Sequence, residues 1–180
     1  MHGIRSETGG LVRAAREDFL AAAYLAEFVD QEKLATILSY QRSRNTMEVI
    51  QAALASRVVR DNYSIAGVGY LRYEDRDAIP QAADFLLTEE NVHTAIVYGL
   101  VIEGGREMIT GSLRTKKATL NPDSFLKDAL GGPEAGRYYG GGRREAGGFE
   151  IAIGFLAGNY DDDFMQWKWR LYDEQIKRKL

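Results

Sequence analysis

The chain has 180 residues, 45% of them hydrophobic, with 23 Lys plus Arg against 26 Asp plus Glu and a formal net charge of −3. That apolar fraction supports a folded core, and the near-balance of charge leaves no global attraction for nucleic acid, so any polyanion site must be a local cluster. The absence of cysteine excludes a disulfide framework and a thiolate metal site.

No apolar run approaches the roughly 18 residues of a membrane span, and the N-terminus has no signal-peptide hydrophobic region, so a cytoplasmic protein without membrane contact is expected. The first ten residues are polar and glycine-rich. From Arg13 to Val29 the spacing of Ala14, Leu20, Ala21, Tyr24, Leu25 and Phe28 predicts a helix. Asp30 reads as the N-cap of a second helix over 31–39, and Ser43 as the cap of a third that runs to about residue 60. Tyr63–Tyr73 is rich in β-formers and reads as a strand. Asp77–Thr88 is helical, with Pro80 near the first turn, where it is tolerated. Thr94–Glu103 is a nearly continuous apolar run, hence a buried strand. Gly104-Gly105 signals a hairpin turn into a return strand over Arg106–Thr115. Asn121 caps a helix to Leu130, with Pro122 at its first position and Gly131-Gly132 ending it. A strand follows over 149–156, and Asp161-Asp162-Asp163 opens a last helix whose basic end, Lys177-Arg178-Lys179, suits the helix dipole. The fold class implied is α/β: a mixed β-sheet flanked by helices over 62–180, with an all-helical extension over 1–61.

Gly140-Gly141-Gly142-Arg143-Arg144-Glu145-Ala146-Gly147-Gly148 is the most informative stretch. Glycines allow backbone to approach a ligand that a Cβ would repel, and arginines add forked, permanently charged donors; the combination suits a phosphate. A hairpin carrying solvated charges is the plainer reading of the same residues.

Two motifs together resemble the C-terminal, DHH-associated substrate-binding domain of DHH-superfamily phosphoesterases. The first is Ser112-Leu113-Arg114-Thr115, at a strand end before a helix. The second is the glycine stretch, in which Gly140, Gly141 and Gly142 match the family's glycine triplet and Ala146, Gly147 and Gly148 match its close. The resemblance covers about residues 62–160. It implies that Ser112, Arg114, Gly140, Gly141, Gly142 and Arg143 contact a substrate phosphate. Arg143 stands where the family has histidine. It keeps a bidentate binding role and loses any acid–base role near neutral pH. Gly3-Ile4-Arg5-Ser6-Glu7-Thr8-Gly9 resembles the segment that ends the family's catalytic domain. Glu7 there takes the place of a metal-binding aspartate.

The family's upstream aspartate and histidine motifs are missing, and the chain has only two histidines. A two-metal centre needs several such ligands. The expectation is therefore a portion of a longer protein, residues 1–61 being the tail of a catalytic DHH domain. Mn²⁺ or Mg²⁺ would belong to the full-length parent, with none in this chain alone. The implied function is to bind a nucleotide or short single-stranded oligonucleotide for a metal-dependent phosphodiesterase or phosphatase, with the DHH domain as partner. The alternative is a stand-alone nucleotide-sensing or interaction module without hydrolytic activity. A homodimer is a further option.

Other residues carry paired readings. Arg144 is read as a solvated charge before a ligand contact. Lys116 and Lys117 extend a basic groove or sit on an exposed loop; Tyr138 and Tyr139 stack on a base or lie in the core. The aspartate run at 161–163 is read as a cap rather than a cation site, and His2 and His93 as non-ligands. Trp167, which shares a helical face with Phe164 and Leu171, is expected in the core. Trp169, off that face, is expected to meet a partner.

Overall fold

In the computed structural model, which describes residues 1–38, 41–158 and 160–180, the chain divides into two units, Met1–Arg42 and Ser43–Leu180. The first contains α1 (His2–Glu7), α2 (Arg16–Ala26) and α3 (Gln31–Leu38). The polar first residues are thus helical, and α2 is shorter at both ends than the apolar spacing implies. Asp18 Oδ2 accepts from the Ala15 N–H at 2.9 Å and closes the start of α2. Asp30 caps α3 as expected, its Oδ1 accepting from the Lys33 N–H at 3.0 Å. Ser39, the last residue of the expected second helix, lies outside the described residues. The stripe of Leu20, Tyr24 and Phe28 is exposed, and the last two rings lie 5.3 Å apart.

The second unit begins with α4 (Arg44–Ser56), whose cap Ser43 accepts from the Thr46 N–H. The helix expected to reach residue 60 stops here, because Arg57 is extended and Val58–Arg60 forms β1. Both valines are β-branched and favour the strand. Next come β2 (Tyr63–Arg72), a 3₁₀ turn (Tyr73–Asp75), α5 (Ala78–Leu86), β3 (Thr94–Glu103) and β4 (Arg106–Thr115). Then follow α6 (Pro122–Leu130), β5 (Gly140–Arg143), β6 (Ala146–Ala152), a second 3₁₀ turn (Gly154–Leu156) and α7 (Asp162–Lys179). The expected strand over 149–156 is therefore displaced towards the N-terminus, and the glycine stretch is itself a β-hairpin turning at Arg144-Glu145.

The sheet is mixed, in the order β1-β2-β3-β4-β6-β5. β2 and β3 are parallel and joined through α5; all the other neighbours are antiparallel. One face of the central strands carries Ala66, Ala95, Val97 and Val101, packed with Val49, Ile50 and Ala53 of α4 and Ile79, Ala82, Ala83 and Leu86 of α5. The other carries Ile65, Ile96, Tyr98, Leu100, Ile109, Leu113 and Phe149, packed with Leu126 and Leu130 of α6 and Ile176 of α7. Each face thus has its own apolar cluster, which is why the central strand β3 reads as a continuous apolar run.

The expectation for the two tryptophans is reversed. Trp167 and Leu171 are exposed, while Trp169 packs into the second cluster with its ring 6.0 Å from that of Tyr98. The inward stripe of α7 is Lys168, Trp169, Tyr172 and Ile176. It includes a lysine, and an apolar-spacing argument does not credit a charge to the core. Lys168 is fully buried because its Nζ meets both carboxylate oxygens of the equally buried Glu107 on β4, at 2.9 and 2.8 Å.

Candidate functional site

Residues directly opposed in neighbouring strands share a face of the sheet, and side chains alternate between faces along each strand. In the register, Arg114 of β4 stands opposite Ala146 of β6, and Ala146 stands opposite Arg143 of β5. The two arginines therefore lie on the same face, two strands or roughly 10 Å apart. Ser112, Gly148 and Gly141 form the next row on that face. Here α4 and α5 cover the central strands, and Gly148 beyond them is exposed.

Arg114, Arg143, Ala146 and the glycines 141, 142, 147 and 148 line one open hollow of about 370 Å³. Its floor is bare backbone. A Cβ at Gly148 would meet nothing nearer than the Gly111 carbonyl oxygen, 3.5 Å away. Its neighbour Gly147 faces the opposite way, and a Cβ there would come within 2.8 Å of Leu126 Cδ1 on α6. These two glycines thus serve two needs: close approach of α6 below at Gly147, and an open floor above at Gly148.

Arg114 is held by three bonds. Its Nε donates to Asp84 Oδ1 of α5 at 2.9 Å, and Nη1 donates to Ser112 Oγ at 2.8 Å and to the Leu113 carbonyl at 3.1 Å. Nη2 has no further partner among the described residues. Ser112 is 6% exposed and acts here on the arginine, orienting its guanidinium. Asp84 and its contact are not legible in the sequence, since nothing local marks which exposed acid of a helix will reach a neighbouring strand. Arg143 is exposed, with no ion pair among the described residues.

Gly140, Gly141 and Gly142 contribute room more than donors. They form a strand rather than a phosphate-cradling loop, and the Gly142 N–H donates to Asp123 Oδ1 at 3.3 Å. That carboxylate also accepts from Lys127 Nζ at 2.6 Å, and the two donors hold it below the usual carboxylate range, Lys127 contributing most. Arg144 occupies the hairpin turn with φ 48° and is exposed.

The remaining candidates separate. Lys116 Nζ donates to the Leu87 carbonyl at 2.9 Å and so ties β4 to the end of α5. Tyr138 is exposed, with Lys127 Nζ 5.2 Å from its ring. Tyr139 packs against the second cluster and lines an adjoining hollow. Asp161 caps α7, its Oδ1 accepting from the Phe164 N–H at 3.2 Å. His93 makes an edge contact with Tyr63 and a 2.9 Å hydrogen bond with Thr94 Oγ1. Burial, then the charge of Lys117, lowers its pKa below the ordinary histidine value.

Among the described residues no three His, Cys, Asp or Glu side chains come together as metal ligands. Glu7, on α1, has no such companions, so the donors present do not fit a resident divalent ion and no chemical step is assigned to one.

No family model matches the chain. It is 36% identical over 181 residues to an uncharacterized protein of Methanocaldococcus jannaschii, a match that covers 99% of this chain and 34% of that protein. The chain therefore spans about a third of the length of the curated relative it matches. Among solved structures, it is similar to an exopolyphosphatase-related protein from Bacteroides fragilis, with a TM-score of 0.58 and 17% identity, covering 97% of this chain and 49% of that one. The chain shares its fold with that protein.

Proposed function

We propose that this chain is a phosphate-binding domain for a nucleotide or short single-stranded oligonucleotide, and that it presents this ligand to a metal-dependent phosphoesterase centre carried elsewhere in a longer protein. The observation that carries the proposal is the register that sets Arg114 and Arg143 on one face of the sheet, both bordering the same bare glycine floor. Two guanidiniums on either side of a gap of this width can close on one phosphate, Arg143 with two parallel N–H donors and Arg114 with its Nη2, the one nitrogen its bonds to Asp84, Ser112 and the Leu113 carbonyl leave open. The open floor lets the anion come down to the backbone. Ser112 and Asp84 keep the Arg114 fork in one orientation, which limits the side-chain entropy lost when the ligand binds. The sequence resemblance to the DHH-associated domain and the fold shared with an exopolyphosphatase-related protein point the same way.

The test is calorimetric titration with a 5′-phosphorylated mononucleotide. Arg114→Ala and Arg143→Ala are each expected to weaken binding by about 1.5–3 kcal/mol, the range for hydrogen bonds to charged groups. Unchanged affinity in both variants would remove the site. Arg144→Ala, in the turn, is expected to leave affinity unchanged.

A further inference from the structure

The hollow between the arginines does not end at the glycines. A second hollow of about 370 Å³ shares Gly141 and Gly148 with it and continues along the same face to Thr110 and Glu150. A third, of about 210 Å³, shares Thr110 and Glu150 with the second. The three form one groove beside α5, with Arg114, Thr110, Met108 and Arg106 of β4 along its length and the buried Ser112 in the same row beneath it.

The far end differs in chemistry from the near end. Its floor is apolar, from Val101 and Met108. Its rim has two donors, Arg76 and Arg106, and two acceptors, Glu103 and Glu150. The Arg76 guanidinium carbon lies over the Tyr73 ring, 3.9 Å from its centroid, at the border of the hollow. The two carboxylates offset the two arginines, so the far end has no net positive charge to draw a second phosphate. A nucleobase fits better: it is flat, has apolar faces that suit an arginine–tyrosine contact, and has an edge with both donors and acceptors.

We propose that the far end of the groove is a nucleobase pocket, so that the ligand is a short nucleotide chain rather than a mononucleotide or an inorganic polyphosphate. The proposal rests on the Arg114 and Arg143 phosphate clamp. From Arg114 to Met108–Thr110 is four to six strand residues, roughly 13–20 Å. That span exceeds one nucleotide and suits a chain of about three, phosphate at the clamp and a downstream base in the pocket.

The experiment is calorimetric titration of the whole chain with 5′-phosphorylated mono-, di- and triadenylate and with inorganic tripolyphosphate. Affinity is expected to rise at least tenfold from the mononucleotide to the trinucleotide, with tripolyphosphate close to the mononucleotide. Glu150→Ala and Arg76→Ala, both at exposed positions, should remove most of that gain and leave mononucleotide affinity unchanged. In NMR spectra the Met108 methyl should shift with the trinucleotide and stay in place with the mononucleotide. If mono- and trinucleotide bind equally, or tripolyphosphate matches the trinucleotide, or the variants keep the full gain, the pocket is refuted and the clamp stands. If no probe binds at all, the clamp and the pocket fall together.

Discussion

At the level of single residues, the glycines show how position decides what one residue type does. Gly147 and Gly148 are adjacent and chemically identical, yet they face opposite sides of β6. An alanine at 147 would press on Leu126, and overpacking of this kind costs about 1–3 kcal/mol. At 148 there is open space, and a β-branched residue suits a strand. Gly147→Ala is therefore expected to lower the midpoint of chemical denaturation. Gly148→Val is expected to keep the midpoint and to lose mononucleotide affinity, because the isopropyl group fills the floor between the arginines. The opposite pattern in paired denaturation and calorimetry experiments would reverse the assignment of the two faces. The sequence motif identifies both glycines and cannot separate them; only the strand register does.

At the level of elements, α7 is the part that sequence periodicity misassigns. Its apolar residues suggest a stripe through Phe164, Trp167 and Leu171, but the helix is docked by Trp169, Tyr172, Ile176 and the buried Lys168. Polar bonds fix that rotation: Lys168 to Glu107, Tyr98 Oη to Asp173 Oδ1 at 2.7 Å, and Tyr70 Oη to the Met165 carbonyl at 3.2 Å. Gly67 on β2 leaves the room in which Trp169 and Asp173 sit. Glu107 Oε1 also accepts from the Gly158 N–H at 2.9 Å, so the pair holds the segment that leads into α7. Removing one member of a buried pair strands the other charge, at a cost of about 3–5 kcal/mol. Lys168→Met is expected to destabilise by that amount in denaturant titration. The double variant Lys168→Met with Glu107→Leu should recover much of the loss. A single variant as stable as the parent would show that water reaches the pair.

At the level of the whole molecule, the proposed binding surface lies within one of the two units. All residues of the proposed clamp and groove belong to Ser43–Leu180, as do both apolar clusters that hold the sheet. Residues 43–180 expressed alone are expected to unfold in one cooperative transition and to bind the trinucleotide with the affinity of the full chain. A non-cooperative melt, or affinity lost on removal of residues 1–42, would show that the first unit is part of the site.

The sequence by itself determined secondary structure wherever local chemistry is strong. The Gly104-Gly105 turn between β3 and β4, the Asn121 cap and the Pro122 start of α6, and the Ser43, Asp30 and Asp161 caps are all local hydrogen-bond or dihedral requirements that a few residues impose on their own. It also marked Arg114 and Arg143 as a pair worth joining. The tertiary structure alone decided that β6 lies between β4 and β5, and hence that these arginines, 29 positions apart in the chain, come to a single face. It alone decided that Asp84 meets Arg114, that the glycines form a strand rather than a loop, and that Lys168 and Trp169 instead of Trp167 turn inward on α7. Each of these depends on which distant partner lies opposite. A side chain's environment is set by strand order and helix docking, and neither is written in the spacing of its neighbours.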